Sequence, residues 1–76
     1  MPHVIIKLYA GKSEQQKVRI AEAVTKAIVD SAGSAERSIS VGIEDIAPED
    51  WTEKVYKPDI AARMDQLHKK PGYNPL

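Results

Sequence analysis

His3-Val4-Ile5-Ile6-Lys7-Leu8-Tyr9, broken by Gly11-Lys12-Ser13, leads into an amphipathic run to about Ala32 and then Ser38-Ile39-Ser40-Val41-Gly42-Ile43-Glu44-Asp45-Ile46. This stretch decides the fold. In the first segment Val4, Ile6 and Leu8 face one way and Ile5, Lys7 and Tyr9 the other, the period-two pattern of a strand. Both faces carry apolar residues, so both are expected to meet protein. Ser13 with Gln16 makes a capping box, each side chain satisfying a free backbone N–H of the other residue. Val18, Ala21, Val24, Ala27 and Ile28 recur at helical spacing, with Ile20 and Ala23 widening the stripe. Lys17, Arg19, Glu22, Lys26 and Asp30 mark the wet side. Gly33 suits a left-handed C-terminal cap. Ile39, Val41 and Ile43 alternate with Ser38, Ser40, Gly42 and Glu44 in a second strand.

A strand, a long helix and a strand in that order form a right-handed crossover, so the strands are expected to be parallel. The fold class is α/β (α+β): a β-α-β subunit with two parallel strands and a crossover helix. Two strands leave exposed edges and an incomplete core, so a second subunit is expected to complete the sheet. Farther on, Pro48-Glu49-Asp50 starts a short helical piece ending near Trp51. Pro58 fits the first turn of a short C-terminal helix with Ile60, Met64 and Leu67 as its apolar stripe. Pro71-Gly72 turns the chain, and Asn74-Pro75 prevents regular structure. No repeat or linker interrupts residues 1–76, which read as one domain.

Composition narrows the function. A chain of 76 residues buries a modest core and usually needs a disulfide, a metal or a partner. It has no cysteine, and His3 and His68, its two histidines, are not at metal-ligand spacing. Oligomerisation is the staple left, and no metal is expected. Eleven basic and eleven acidic residues are interspersed without the basic stripe of a nucleic-acid binder. No apolar run approaches membrane-spanning length, and Met1-Pro2-His3 lacks the pattern of a signal peptide. A cytoplasmic location is expected.

The residue that points to chemistry is Pro2. Removal of Met1 would leave Pro2 with a free secondary amine, a rigid and compact base. An internal proline has no such nitrogen. An ordinary α-amino group titrates near ~8. An apolar wall and a neighbouring cation both disfavour the charged amine and lower that value.

Pro2-His3-Val4-Ile5-Ile6-Lys7-Leu8 followed by Gly11-Lys12-Ser13-Glu14-Gln15-Gln16-Lys17 resembles the start of the 4-oxalocrotonate tautomerase family. Residues 2 to about 51 carry the likeness, and the remainder, with Trp51, Pro58 and Lys69-Lys70-Pro71-Gly72-Tyr73, resembles its longer bacterial branch. The resemblance implies a subunit whose two strands join two from a second subunit. It favours a homodimer over a hexamer. It also implies keto–enol tautomerisation without a cofactor, with Pro2 as general base. Lys12 stands where the best-known members have an arginine, and offers a point charge in place of a bidentate grip. Ser40 stands where they have a second arginine, and can donate one hydrogen bond but no charge. Arg37, three residues earlier, is the candidate to supply that charge across a subunit boundary. Trp51 matches the pocket aromatic and suits an aryl substrate. The expected substrate is therefore a small 2-oxo acid enol such as phenylpyruvate. Two alternatives stand beside this one: a dehalogenase or hydratase of unsaturated acids using the same proline, and a non-catalytic oligomeric binding module. His3, Tyr56 and Tyr73 have no assigned place, although an exposed or interface role is favoured for His3.

Overall fold

The structure, a computed structural model, describes residues 1–76. Strand β1 spans His3–Tyr9, helix α1 spans Glu14–Ala32 and strand β2 spans Ser40–Ile46. The strands are parallel and paired in register from His3 opposite Ser40 to Tyr9 opposite Ile46. Helix α1 starts where the sequence says it should. Ser13 Oγ accepts the Gln16 N–H at 3.1 Å, and Gln16 Oε1 accepts the Ser13 N–H at 3.0 Å. The helix ends at Gly33, at φ 69°, whose N–H donates to the Val29 carbonyl. That left-handed conformation is one a side chain disfavours.

The two faces of the sheet are covered by different parts of the chain. Lys17 of α1 reaches Asp45 of β2 at 2.8 Å. Asp45 pairs with Leu8, so alternation puts Val4, Ile6, Leu8, Val41 and Ile43 beneath α1. The opposite face carries His3, Ile5, Lys7 and Tyr9, and the C-terminal segment reaches it at Lys7 and Tyr9. Lys7 Nζ meets Asp59 Oδ2 at 2.6 Å, and Tyr9 meets Trp51 edge to face with ring centroids 5.2 Å apart. Both faces of β1 thus meet protein within one subunit, the second only in part, since Ile5 and Tyr9 stay more than half exposed.

Three local expectations change. The second strand begins at Ser40, not Ser38. Residues Glu36–Ser38 form a 3-10 turn, and Ser38 bonds the Ala35 carbonyl through both its N–H and its hydroxyl. Such local side-chain bonding competes with strand pairing. The C-terminal helix begins well before Pro58: Thr52–Ile60 winds as a π-helix with Pro58 inside it, then tightens into 3-10 turns over Ala61–Gln66. Proline lacks an N–H and its ring crowds the carbonyl four residues back. The wider i→i+5 winding accommodates both facts, and the Ala61 N–H is shared between the Tyr56 and Lys57 carbonyls. Finally, Val18 of the helix stripe is 53% exposed, while Lys17 of the wet side is held between Glu14 and Asp45.

The isolated subunit buries only Val55 and Tyr56, at 4% and 2% exposure. Both belong to the C-terminal segment. Ile5 and Tyr9 remain more than half exposed. A core this small does not stabilise a chain of this length. The open sheet edges and apolar surface therefore call for a partner subunit. No helix is long and apolar enough to cross a membrane.

The Lys7–Asp59 pair ties the C-terminal segment to β1. The hydrogen bond that the Lys7 ammonium donates to Asp59 is the main reason it titrates above its ordinary 10.5. Desolvation opposes this, and the charges of Asp59 and Glu44 add to it. A raised lysine value stabilises the fold fully below the ordinary value and loses that contribution as pH rises through the folded one. Both side chains are partly exposed, so the pair is weak and salt-sensitive. Trp51, the chain's sole tryptophan, reports on the segment. Asp59→Asn is expected to shift its emission to the red at neutral pH, and wild type to follow only above pH 10.5. Identical spectra for the two proteins across this range would show that apolar contacts alone hold the segment.

Candidate active site

Pro2 immediately precedes β1 and is half-buried. Its carbonyl accepts the Ser40 N–H at 3.2 Å. The bond continues the strand pairing by one residue, and the Pro2 nitrogen lies on the N-terminal side of the ladder. Met1 is wholly exposed, so its removal takes no packing from the fold.

Ser40, opposite His3, opens β2. Arg37 lies at the same end of the sheet, in the turn that enters β2, and its side chain is exposed. Pro2, Ser40 and Arg37 thus form one group of the sequence-predicted residues. Lys12 and Trp51 form another. Lys12 is in the turn after β1, and Trp51 packs on Tyr9 at the finish of β1. Tyr9 closes the seven-residue strand that follows Pro2, about 23 Å away at ~3.3 Å per residue. Within one subunit Trp51 and Lys12 therefore gather at the end of β1 opposite Pro2. Neither Lys12 nor Arg37 takes part in an ion pair, so both cations are available to an anionic ligand.

Trp51 is held on several sides. Its indole N–H donates to the Tyr73 hydroxyl at 2.8 Å, and the Tyr73 ring lies 5.5 Å from that of Tyr56. The tail after Pro71-Gly72 thus folds back onto the sheet. Between Trp51 and the face of β1 runs a groove of about 480 Å³ bordered by Ile5, Lys7, Val55, Asp59, Ile60 and Arg63. A smaller hollow of about 380 Å³ joins it past Tyr9 and Tyr73. Lys7 borders both but is neutralised by Asp59. The walls mix apolar residues with the paired Lys7 and Asp59 and with Arg63, which makes no ion pair.

Three participants escaped the sequence reading. His3 Nδ1 lies 2.6 Å from Ser40 Oγ. Tyr73 carries the hydroxyl that fixes Trp51, and Asp59 carries the charge that pins Lys7. None has a local sequence signal, because each contact joins residues far apart in the chain.

Residues 2–54 match the family described as "Tautomerase enzyme". The chain is 37% identical to a probable tautomerase of Xylella fastidiosa over 76 residues, covering 100% of this chain and 93% of that protein. It is 39% identical over 75 residues to tautomerase PptA of Escherichia coli, covering 97% and 99% of the two chains. Among solved structures, a 4-oxalocrotonate tautomerase isozyme of Methylibium petroleiphilum superposes with a TM-score of 0.64 at 34% identity. That match covers 66% of this chain and 81% of the other. The family match stops inside the π-helix, whereas the likeness to PptA continues through the C-terminal segment that carries Asp59 and Tyr73.

Proposed function

Because the chain belongs to the tautomerase family, we propose that it is a cofactor-independent keto–enol tautomerase acting on small 2-oxo acid enols such as phenylpyruvate. The observation that carries the reading is the half-buried Pro2, its carbonyl locked to Ser40 and its nitrogen on the N-terminal side of the strand ladder. Once Met1 is gone, the neutral Pro2 amine takes the enol hydroxyl proton as the oxygen becomes a carbonyl. The same proton is then delivered to the neighbouring carbon, so no external acid is consumed. Ser40 donates one hydrogen bond to the oxo-acid end of the substrate, Arg37 and Lys12 attract the carboxylate, and Trp51 takes the aryl ring.

The separation of these residues into two groups asks for two subunits. A two-fold axis perpendicular to a strand sets that strand antiparallel to its copy. Running the free edge of β1 against the partner's β1 places the start of one strand beside the finish of the other. Pro2, Ser40 and Arg37 of one subunit then meet Lys12 and Trp51 of the second. The same pairing turns two strands into four and covers apolar surface that one subunit leaves exposed. The homodimer is thus both the folded unit and the catalytic unit.

The test is the intact mass of untagged protein followed by a phenylpyruvate enol–keto assay on the same sample. A mass lacking Met1 together with turnover is the expected result. Loss of Met1 without turnover of any 2-oxo acid enol would sink the proposal.

A further inference from the structure

His3 and Ser40 form a hydrogen-bonded pair directly beside Pro2, and the direction of that bond depends on a proton. The Nδ1–Oγ distance is 2.6 Å, both residues are exposed, and they sit opposite each other in the strand register. When His3 Nδ1 is unprotonated it accepts, so the Ser40 hydroxyl hydrogen is committed to the ring. When the imidazole is doubly protonated Nδ1 only donates. The hydroxyl hydrogen is then released toward a ligand, and the ring adds a positive charge.

We infer that the His3–Ser40 pair is a proton-gated carboxylate site, gripping the acid group of the substrate when His3 is charged. The inference rests on the reading of Pro2 as the base for an anionic substrate. The charged groups around the pair are few. The Pro2 amine adjoins it, Glu36 and Arg37 lie in the turn entering β2, and Glu44 and Lys7 lie farther along the same face. From the C-terminal segment over that face come Asp59, held by Lys7, and Arg63. No carboxylate reaches His3 within ion-pair distance, so its charge is open to a ligand. Catalysis then needs His3 charged and Pro2 neutral at once, which gives kcat/KM a bell-shaped pH profile.

Phenylglyoxylate, an aromatic 2-oxo acid with no enolisable C–H, probes binding without turnover. Wild type is expected to bind it about tenfold tighter at about pH 5.5 than at about pH 8, values that bracket histidine titration. His3→Gln, which keeps a hydrogen bond to Ser40 without a charge, loses that gain. His3→Lys binds tightly at both pH values, and His68→Gln behaves as wild type. In NMR titrations, saturating phenylglyoxylate raises the titration midpoint of His3 by about one unit and leaves that of His68 in place, the reciprocal of the binding effect. An equal gain in His3→Gln, a His3 midpoint unmoved by ligand, or no binding at either pH would overturn the inference. Enol turnover measured alongside separates the two claims. Binding gated by His3 without turnover removes the tautomerase reading and keeps the site, whereas turnover and binding indifferent to His3 remove the site alone.

Discussion

Pro2→Ala protein, freed of Met1, is expected to turn over phenylpyruvate enol about 10²–10⁴-fold more slowly than wild type, the usual contribution of a positioned general base. The fold has little to lose from the change. Pro2 donates no backbone hydrogen bond, and its carbonyl bond to the Ser40 N–H is available to alanine unchanged. What disappears is a secondary amine on a fixed ring. Alanine offers in its place a primary amine that rotates freely and titrates near ~8. Matched circular dichroism spectra and oligomer mass for the two proteins would assign the loss to chemistry. Full activity in the processed variant would remove Pro2 from the mechanism.

The β-α-β unit was legible because its signals are local. Alternation in Val4-Ile5-Ile6-Lys7-Leu8, the Ser13–Gln16 capping box and Gly33 each fix a boundary or a face within a few residues, and the structure follows them. Legibility failed where local rules compete. Ser38 has strand neighbours but satisfies its hydrogen bonds in a turn. Pro58 signals a helix start under α-helical geometry, yet a π-helix tolerates it in the interior. Trp51, Val55, Tyr56 and Ile60 recur every four or five residues, and that spacing was the available clue to wider winding. The site divides the same way. The residue types of Pro2, Lys12, Ser40 and Trp51 could be read from their positions along the chain. Their distribution between opposite ends of the sheet could not, because it depends on strand register and on where the C-terminal segment packs. The His3–Ser40 bond spans 37 residues and exists only because the parallel register sets those two positions opposite each other.

Mixing two inactive proteins is expected to restore activity. If Pro2 of one subunit works with Trp51 of the other, then Pro2→Ala and Trp51→Ala homodimers each carry two damaged sites. A mixed dimer carries one site with both lesions and one with neither. Random reassembly at equal amounts makes about half of the dimers mixed, so activity is expected to recover to about a quarter of the wild-type value. Substituting Trp51 carries a structural risk, since the ring packs on Tyr9 and bonds Tyr73. Lys12→Ala in the exposed turn serves as the second partner, because Lys12 makes no ion pair and anchors nothing. Recovery with either partner requires that chains exchange, and the small core of the lone subunit makes that exchange proceed through partial unfolding. Both mixtures should therefore be refolded together from denaturant. Co-refolded dimers that contain both chains by mass yet stay inactive would show that Pro2 and the far end of β1 do not share a site. The two-fold arrangement proposed for the active site would then have to be abandoned, whatever the fate of Pro2 as the base.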